Sequence, residues 1–119
     1  MKALLIISHG SRRADSNNEV FRLTEELRTK SGATIPLVAC AFLEIAEPKV
    51  QAAIDGLVAD GATDILVFPH FLAAGTHVAR DIPRELETAG ARHPNLTFTL
   101  LPHLGALPGL SSLILKMLY

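Results

Sequence analysis

Ile65-Leu66-Val67-Phe68 runs directly into Pro69-His70-Phe71-Leu72-Ala73-Ala74-Gly75-Thr76-His77-Val78-Ala79-Arg80-Asp81-Ile82-Pro83. The first four residues read as a buried strand. Ala73, Ala74 and Gly75 then make a tight small-residue loop, and a helical pattern opens carrying His77, Arg80 and Asp81. A strand, a small-residue loop and a helix with polar groups at its start form a ligand platform in open α/β sheets. The helical pattern extends from about Thr76 to Ala89, and Pro83 inside it predicts either a new segment or a bend.

Upstream, Ala3 to Ile7 is an aliphatic run without alternation, as in a strand covered on both faces. Ser16-Asn17-Asn18-Glu19 fits a capping box. Val20, Leu23 and Leu27 follow as an apolar stripe with Glu25, Glu26 and Arg28 turned to water, and Gly32 ends the helix. Ile35 to Phe42 is a second buried strand. Pro48 suits the first turn of the next helix and Glu47 suits its cap. Val50, Ala53, Ile54, Leu57 and Val58 face the core, and Gly61 stops the helix. Thr63 to Phe68 is strand three and Leu96 to Leu101 strand four. Pro108 to Leu118 is a last helix, with Leu110, Leu113, Ile114 and Met117 as its stripe.

Strands alternating with helices call for a parallel sheet with helices on both faces. The expected order is 2-1-3-4, a flavodoxin-like arrangement within one α/β domain over residues 1–119. In that order His9 ends strand one, Glu44 follows strand two, and His77 opens the helix after strand three. Neighbouring strands lie about 4.8 Å apart. Three residues distant in sequence therefore share the rim of one crevice.

Composition narrows the function. The chain of 119 residues is 49% apolar and 19% charged with a net charge of −1, so nothing global points to nucleic acid or an acidic membrane. The N-terminal apolar run is too short for a signal peptide, and Arg12-Arg13-Ala14-Asp15 follows it. No window approaches the ~20 apolar residues of a membrane span. A lone cysteine, Cys40, sits in a strand pattern as a core thiol and suits a cytoplasmic location.

Two imidazoles carry the chemical signal. His9, between a strand and a Gly-Ser turn, is a metal ligand, a proton acceptor or a turn histidine bonded to backbone. His77 and Asp81 are four apart, so the carboxylate can take one ring N–H and raise the basicity of the other nitrogen. Alternatively the two form a surface ion pair, or Asp81 caps the segment beginning near Pro83. Thr76 can cap the helix, leaving N–H groups for an anion. Glu44 has no local duty in its loop and is the better functional carboxylate of the Glu44/Glu47 pair. Arg12, Arg13 and Arg80 are the cations nearest the rim; the adjacent pair is either simply solvated or, for a ligand with several carboxylates, a bidentate partner. His70 stands as an extra ligand or as semi-buried packing beside Phe71 and Leu72, while His93 and His103 read as structural or exposed.

Together, His9-Gly10-Ser11-Arg12, then Phe42-Leu43-Glu44 with Pro48, and then Pro69, Phe71-Leu72, Gly75, His77-Val78 and Asp81-Ile82-Pro83 resemble the short sirohydrochlorin chelatases of the class II chelatase family. The resemblance implies insertion of a divalent metal substrate, Co²⁺ foremost with Ni²⁺ or Fe²⁺ as options, into the tetrapyrrole sirohydrochlorin. It implies His9 and His77 as metal-binding and catalytic residues with Glu44 assisting, and no permanently bound cofactor. Ser11, Arg12, Ala74, Gly75, Thr76 and Arg80 are the expected ring-binding residues, and Asp81 supports His77. Longer relatives carry two such halves, so a half-length chain implies a homodimer. His70 departs from the less polar residue expected there, and the histidine-rich tract of some members is missing; metal choice stays open. The rival readings are a phosphoryl-transfer hydrolase using His9, against which Ser8 stands where an arginine is wanted, and a non-enzymatic metal or tetrapyrrole carrier.

Overall fold

The computed structural model describes residues 1–119. Its strands are β1 (Lys2–Ser8), β2 (Leu37–Phe42), β3 (Asp64–Pro69) and β4 (Thr97–Leu100). Its α-helices are α1 (Ala14–Ser31), α2 (Val50–Ala59), α3 (Ile82–Arg92) and α4 (Leu110–Lys116). All strand pairs are parallel and the order is β2-β1-β3-β4, as the alternation predicts. Ala3, Leu5 and Ile7 pack with Ile54, Leu57, Ile82 and Ala89 beneath α2 and α3. Ile6 faces the other way, onto Val20, Val38, Cys40 and Phe42 beneath α1. Strand β1 is unalternating because both its faces are covered. Burial raises the Cys40 thiol pKa, as befits a core thiol.

Several boundaries differ from the sequence expectation. No capping box forms at Ser16–Glu19, because α1 already begins at Ala14 after Arg13. Asn17 instead closes the loop before it, accepting from the Ser11 N–H at 3.0 Å and donating to the Ser11 carbonyl at 2.8 Å. Arg28 is not simply turned to water. Its guanidinium reaches the Val38 carbonyl on the outer side of β2, blunting that sheet edge. Strand β2 begins after Pro36, which has no N–H for the ladder. Pro48 precedes α2; its carbonyl accepts the Phe42 N–H at 2.9 Å, and Lys49 takes the cap position. Glu47 pairs with Lys49 at 3.1 Å instead of joining the first turn.

The helix expected over Thr76 to Ala89 is two pieces. His77–Asp81 forms a π-turn, closed by the Ile82 N–H on the His77 carbonyl, and α3 follows with Pro83 in its first turn. Pro83 lacks an N–H and its ring crowds the carbonyl four residues back, so the ladder widens there. Ile82, fully buried against the sheet, anchors the junction with a burial term of about 1.5–3 kcal/mol.

The last helix departs most. Leu113, Ile114 and Met117 were expected in the core and are instead 61%, 58% and 84% exposed. A 3₁₀ turn at Leu104–Ala106 precedes α4, and Gly105 there lies against the Leu72 carbonyl. Helix α4 stands off the sheet and leaves an apolar groove of about 610 Å³ lined by Leu4, Leu27, Phe68, Leu101, Leu107 and Leu113.

Candidate functional site

The β1–β2 ladder runs on past both strands. The Leu43 N–H donates to the Ser8 carbonyl at 2.9 Å and the Glu44 N–H to the His9 carbonyl at 3.1 Å. Backbone pairing thus sets His9 beside Glu44, whatever their side chains do. Gly10 makes this approach possible. Its φ is 99°, and a Cβ there would lie 1.9 Å from the Glu44 carbonyl oxygen. Ile45 follows with φ of 72°, in a tight turn closed by the Ala46 N–H on the Glu44 carbonyl at 2.8 Å. A β-branched residue in that region costs on the order of 1–3 kcal/mol, and such strain concentrates at functional sites.

Strand β3 supplies the third side chain. The His70 N–H continues the sheet onto the Ile7 carbonyl at 2.8 Å, and the exposed loop through Ala73, Ala74, Gly75 and Thr76 leads to the π-turn. His77 emerges from that turn with its ring stacked on Phe71 at 6.1 Å and 4.6 Å from the ring of His9. One ligand atom each from His9, Glu44 and His77 lie within 4.8 Å of one another. The convergence expected from strand order is present.

Hydrogen bonds dictate which atoms are available. His77 Nδ1 meets Asp81 Oδ2 at 2.7 Å, so Nδ1 carries the proton and Nε2 keeps its lone pair. Asp81 is therefore spoken for by His77 and makes no side-chain cap on α3. His9 Nδ1 lies 3.1 Å from the Gly10 carbonyl, which requires a donor, while Nε2 lies 2.8 Å from Glu44 Oε1. The second contact holds one proton between nitrogen and carboxylate. A divalent cation binding both atoms takes that proton's place. His9 and Glu44 are 43% and 55% exposed, and a pair that open contributes only about 0–1 kcal/mol to folding. The arrangement is not explained by stability. Asp81→Asn is expected to weaken Co²⁺ binding about 10- to 100-fold with the fold intact, read by a visible-absorption titration with circular dichroism as the control; unchanged affinity would remove Asp81 from this role.

The remaining expected residues divide. Arg12 and Arg80 are exposed with no ion pair, and Ala74, Gly75 and Thr76 lie open beside His77. No atom would meet a Cβ at Gly75 within 4 Å, so the loop offers free space to a flat ligand. Thr76 is already helical and makes no side-chain cap, a correction to the expectation. Ser11 is turned into its own loop, its hydroxyl accepting the Arg13 N–H at 3.0 Å. His70 lies outside the triad. Its Nδ1 meets Ser8 Oγ at 2.9 Å, it lines the apolar groove, and burial lowers its pKa and keeps it neutral. His93 bonds Asp55 at 2.8 Å beside Arg92, tying α3 to α2. The stacking of Phe71 and the close approach at Gly10 escaped the sequence reading, although both stand in the motifs that carried it.

The CbiX family model matches residues 3–118. The chain is 37% identical over 86 residues to the sirohydrochlorin cobaltochelatase of Methanocaldococcus jannaschii, covering 72% of this chain and 59% of that protein. It is 41% identical over 87 residues to the sirohydrochlorin cobaltochelatase of Sulfolobus acidocaldarius, covering 73% and 68%. A CbiX protein from Marinobacter aquaeolei superposes with a TM-score of 0.79 at 30% identity, covering 99% of this chain and 94% of that one. The sirohydrochlorin chelatase SirB from Bacillus subtilis subspecies spizizenii, in complex with cobalt, superposes with a TM-score of 0.85 at 27% identity. That match covers 98% of this chain and 49% of SirB.

Proposed function

This chain belongs to the CbiX family, and from that premise we propose that it inserts a divalent metal, cobalt foremost, into sirohydrochlorin. The observation that carries the reading is the meeting of His9, Glu44 and His77 donor atoms within 4.8 Å, beside an open small-residue loop. Two imidazole nitrogens and one carboxylate oxygen suit cobalt, nickel and iron better than the hard cations. Three donors in a half-open site bind an ion well enough to strip water from it and loosely enough to release it, so the metal is substrate and not a resident cofactor.

Insertion exchanges two pyrrole protons for one M²⁺. His77 Nε2, on a ring oriented by the bond from Nδ1 to Asp81, takes the role of the retaining ligand. The His9–Glu44 pair gives up its shared proton when the ion arrives and regains basic atoms when the ion passes to the ring. Those atoms accept the pyrrole protons and pass them to water. The ring lies over the Ala73–Gly75 loop, with Arg12 and Arg80 toward its carboxylates.

Phosphoryl transfer by His9 is disfavoured because its Nε2 faces a carboxylate, which repels a phosphate. Mixing the chain with Co²⁺ and sirohydrochlorin should change the visible spectrum faster than the uncatalysed reaction. Tight binding without acceleration would make the chain a carrier; no effect of either kind ends the reading.

The same reading includes a homodimer in the cytoplasm. Its support is the apolar face of α4 and the groove beside it, an area of the kind that monomers cover, and no helix is long and apolar enough to cross a membrane. Light scattering on the eluting protein should give twice the chain mass, and Leu113→Asp with Ile114→Asp should return it to one. A monomeric unmutated chain would remove the dimer from the account.

A further inference from the structure

A groove of about 260 Å³ leads from Glu44 and His77 along α3, past Asp81 and Arg84 to Thr88. Positions 77, 81, 84 and 88 recur at the spacing of one helical face. Three carboxylates line the groove and each has a partner within the protein: Glu44 on His9 at 2.8 Å, Asp81 on His77 at 2.7 Å, and Glu85 against Gln51 Nε2 at 3.5 Å. Arg84 is the groove's arginine, exposed, and its guanidinium pairs with none of them. Its carbonyl accepts from Thr88 Oγ1 at 3.1 Å. An arginine fork left open in such company is available to an anion from outside.

We propose that Arg84 is a specificity-determining residue that binds one peripheral carboxylate of the tetrapyrrole while the ring centre lies over His9 and His77; this rests on the chelatase reading. Arg84 lies seven steps along the helical run from His77, a rise of about 10 Å. That is the scale of the distance from a tetrapyrrole's centre to the end of a carboxylate arm. Glu44, Asp81 and Glu85 sharpen the choice, because an arm ending anywhere in the groove but at the guanidinium meets like charge. Arg80 does not line this groove.

The test is binding of metal-free sirohydrochlorin, followed by absorbance, to the unmutated chain, Arg84→Ala and Arg84→Lys. Arg84→Ala should bind about tenfold more weakly and Arg84→Lys in between, the loss of one charge-assisted pair. The octamethyl ester of the ring should bind all three equally, and Co²⁺ titrated without ring should bind all three equally; a merely structural role would move the second titration. Equal affinity of the free acid for all three proteins overturns the assignment of Arg84 alone. A ring that the unmutated chain does not bind overturns the chelatase reading and Arg84 with it.

Discussion

Replacing either His9 or His77 with alanine should lower the rate of cobalt insertion about 100-fold or more, and replacing both should cost little beyond the larger single effect. A ligand and a proton acceptor that act on one ion fail together, and general acid–base groups alone contribute about 10²–10⁴-fold. The side chains are half-exposed and sit at the ends of elements, not in the core, so the fold should survive each change. The two variants should differ in one respect. His77→Ala leaves Asp81 without its partner and should raise the metal concentration needed for half-maximal rate. His9→Ala leaves the His77–Asp81 bond in place and should lower the rate more than it raises that metal concentration. Insertion at the unmutated rate by both variants would detach the chemistry from these imidazoles.

Gly10→Ala should be nearly as damaging by a different route. The added methyl would lie 1.9 Å from the Glu44 carbonyl and 3.3 Å from the Phe42 Cβ, and the backbone there has a φ of 99°. Both obstacles are backbone or core, so neither yields cheaply. The relief available is to push the Glu44 loop away from β1, breaking the Glu44 N–H to His9 carbonyl bond. A stability loss of about 2–4 kcal/mol is expected in denaturant unfolding, with insertion falling at least tenfold even where the protein remains folded. Gly32→Ala is the control. It too has positive φ, but no atom lies within 4 Å of its Cβ position, so it should cost stability without touching the insertion rate.

The sheet was legible because its signals are local. Ala3 to Ile7 carries no alternation, which already says that helices cover both faces, and strand order then brings His9 next to Glu44. His77 and Asp81 announce their bond by spacing alone. What stayed hidden depends on distant partners. Asn17 looked like part of a cap until the Ser11 loop folded back onto it. Pro48 looked like a first helical residue because nothing in the sequence says its carbonyl pairs with Phe42. The stripe on α4 was seen correctly as apolar, but periodicity names a face and not what covers it. Arg84 was passed over because its neighbour Glu85 and the acids of the groove make it look like a solvated helix charge; its lack of an ion pair is visible only in three dimensions.

Metal delivery by this chain depends on three donors from three separate crossovers meeting on one ion. The decisive experiment is a crystal structure of the chain soaked with Co²⁺. One cobalt is expected, bonded to Nε2 of His9, Nε2 of His77 and an oxygen of Glu44, at roughly the 2.0–2.2 Å usual for such ligands. Cobalt held elsewhere, or by only one of the three, would contradict it.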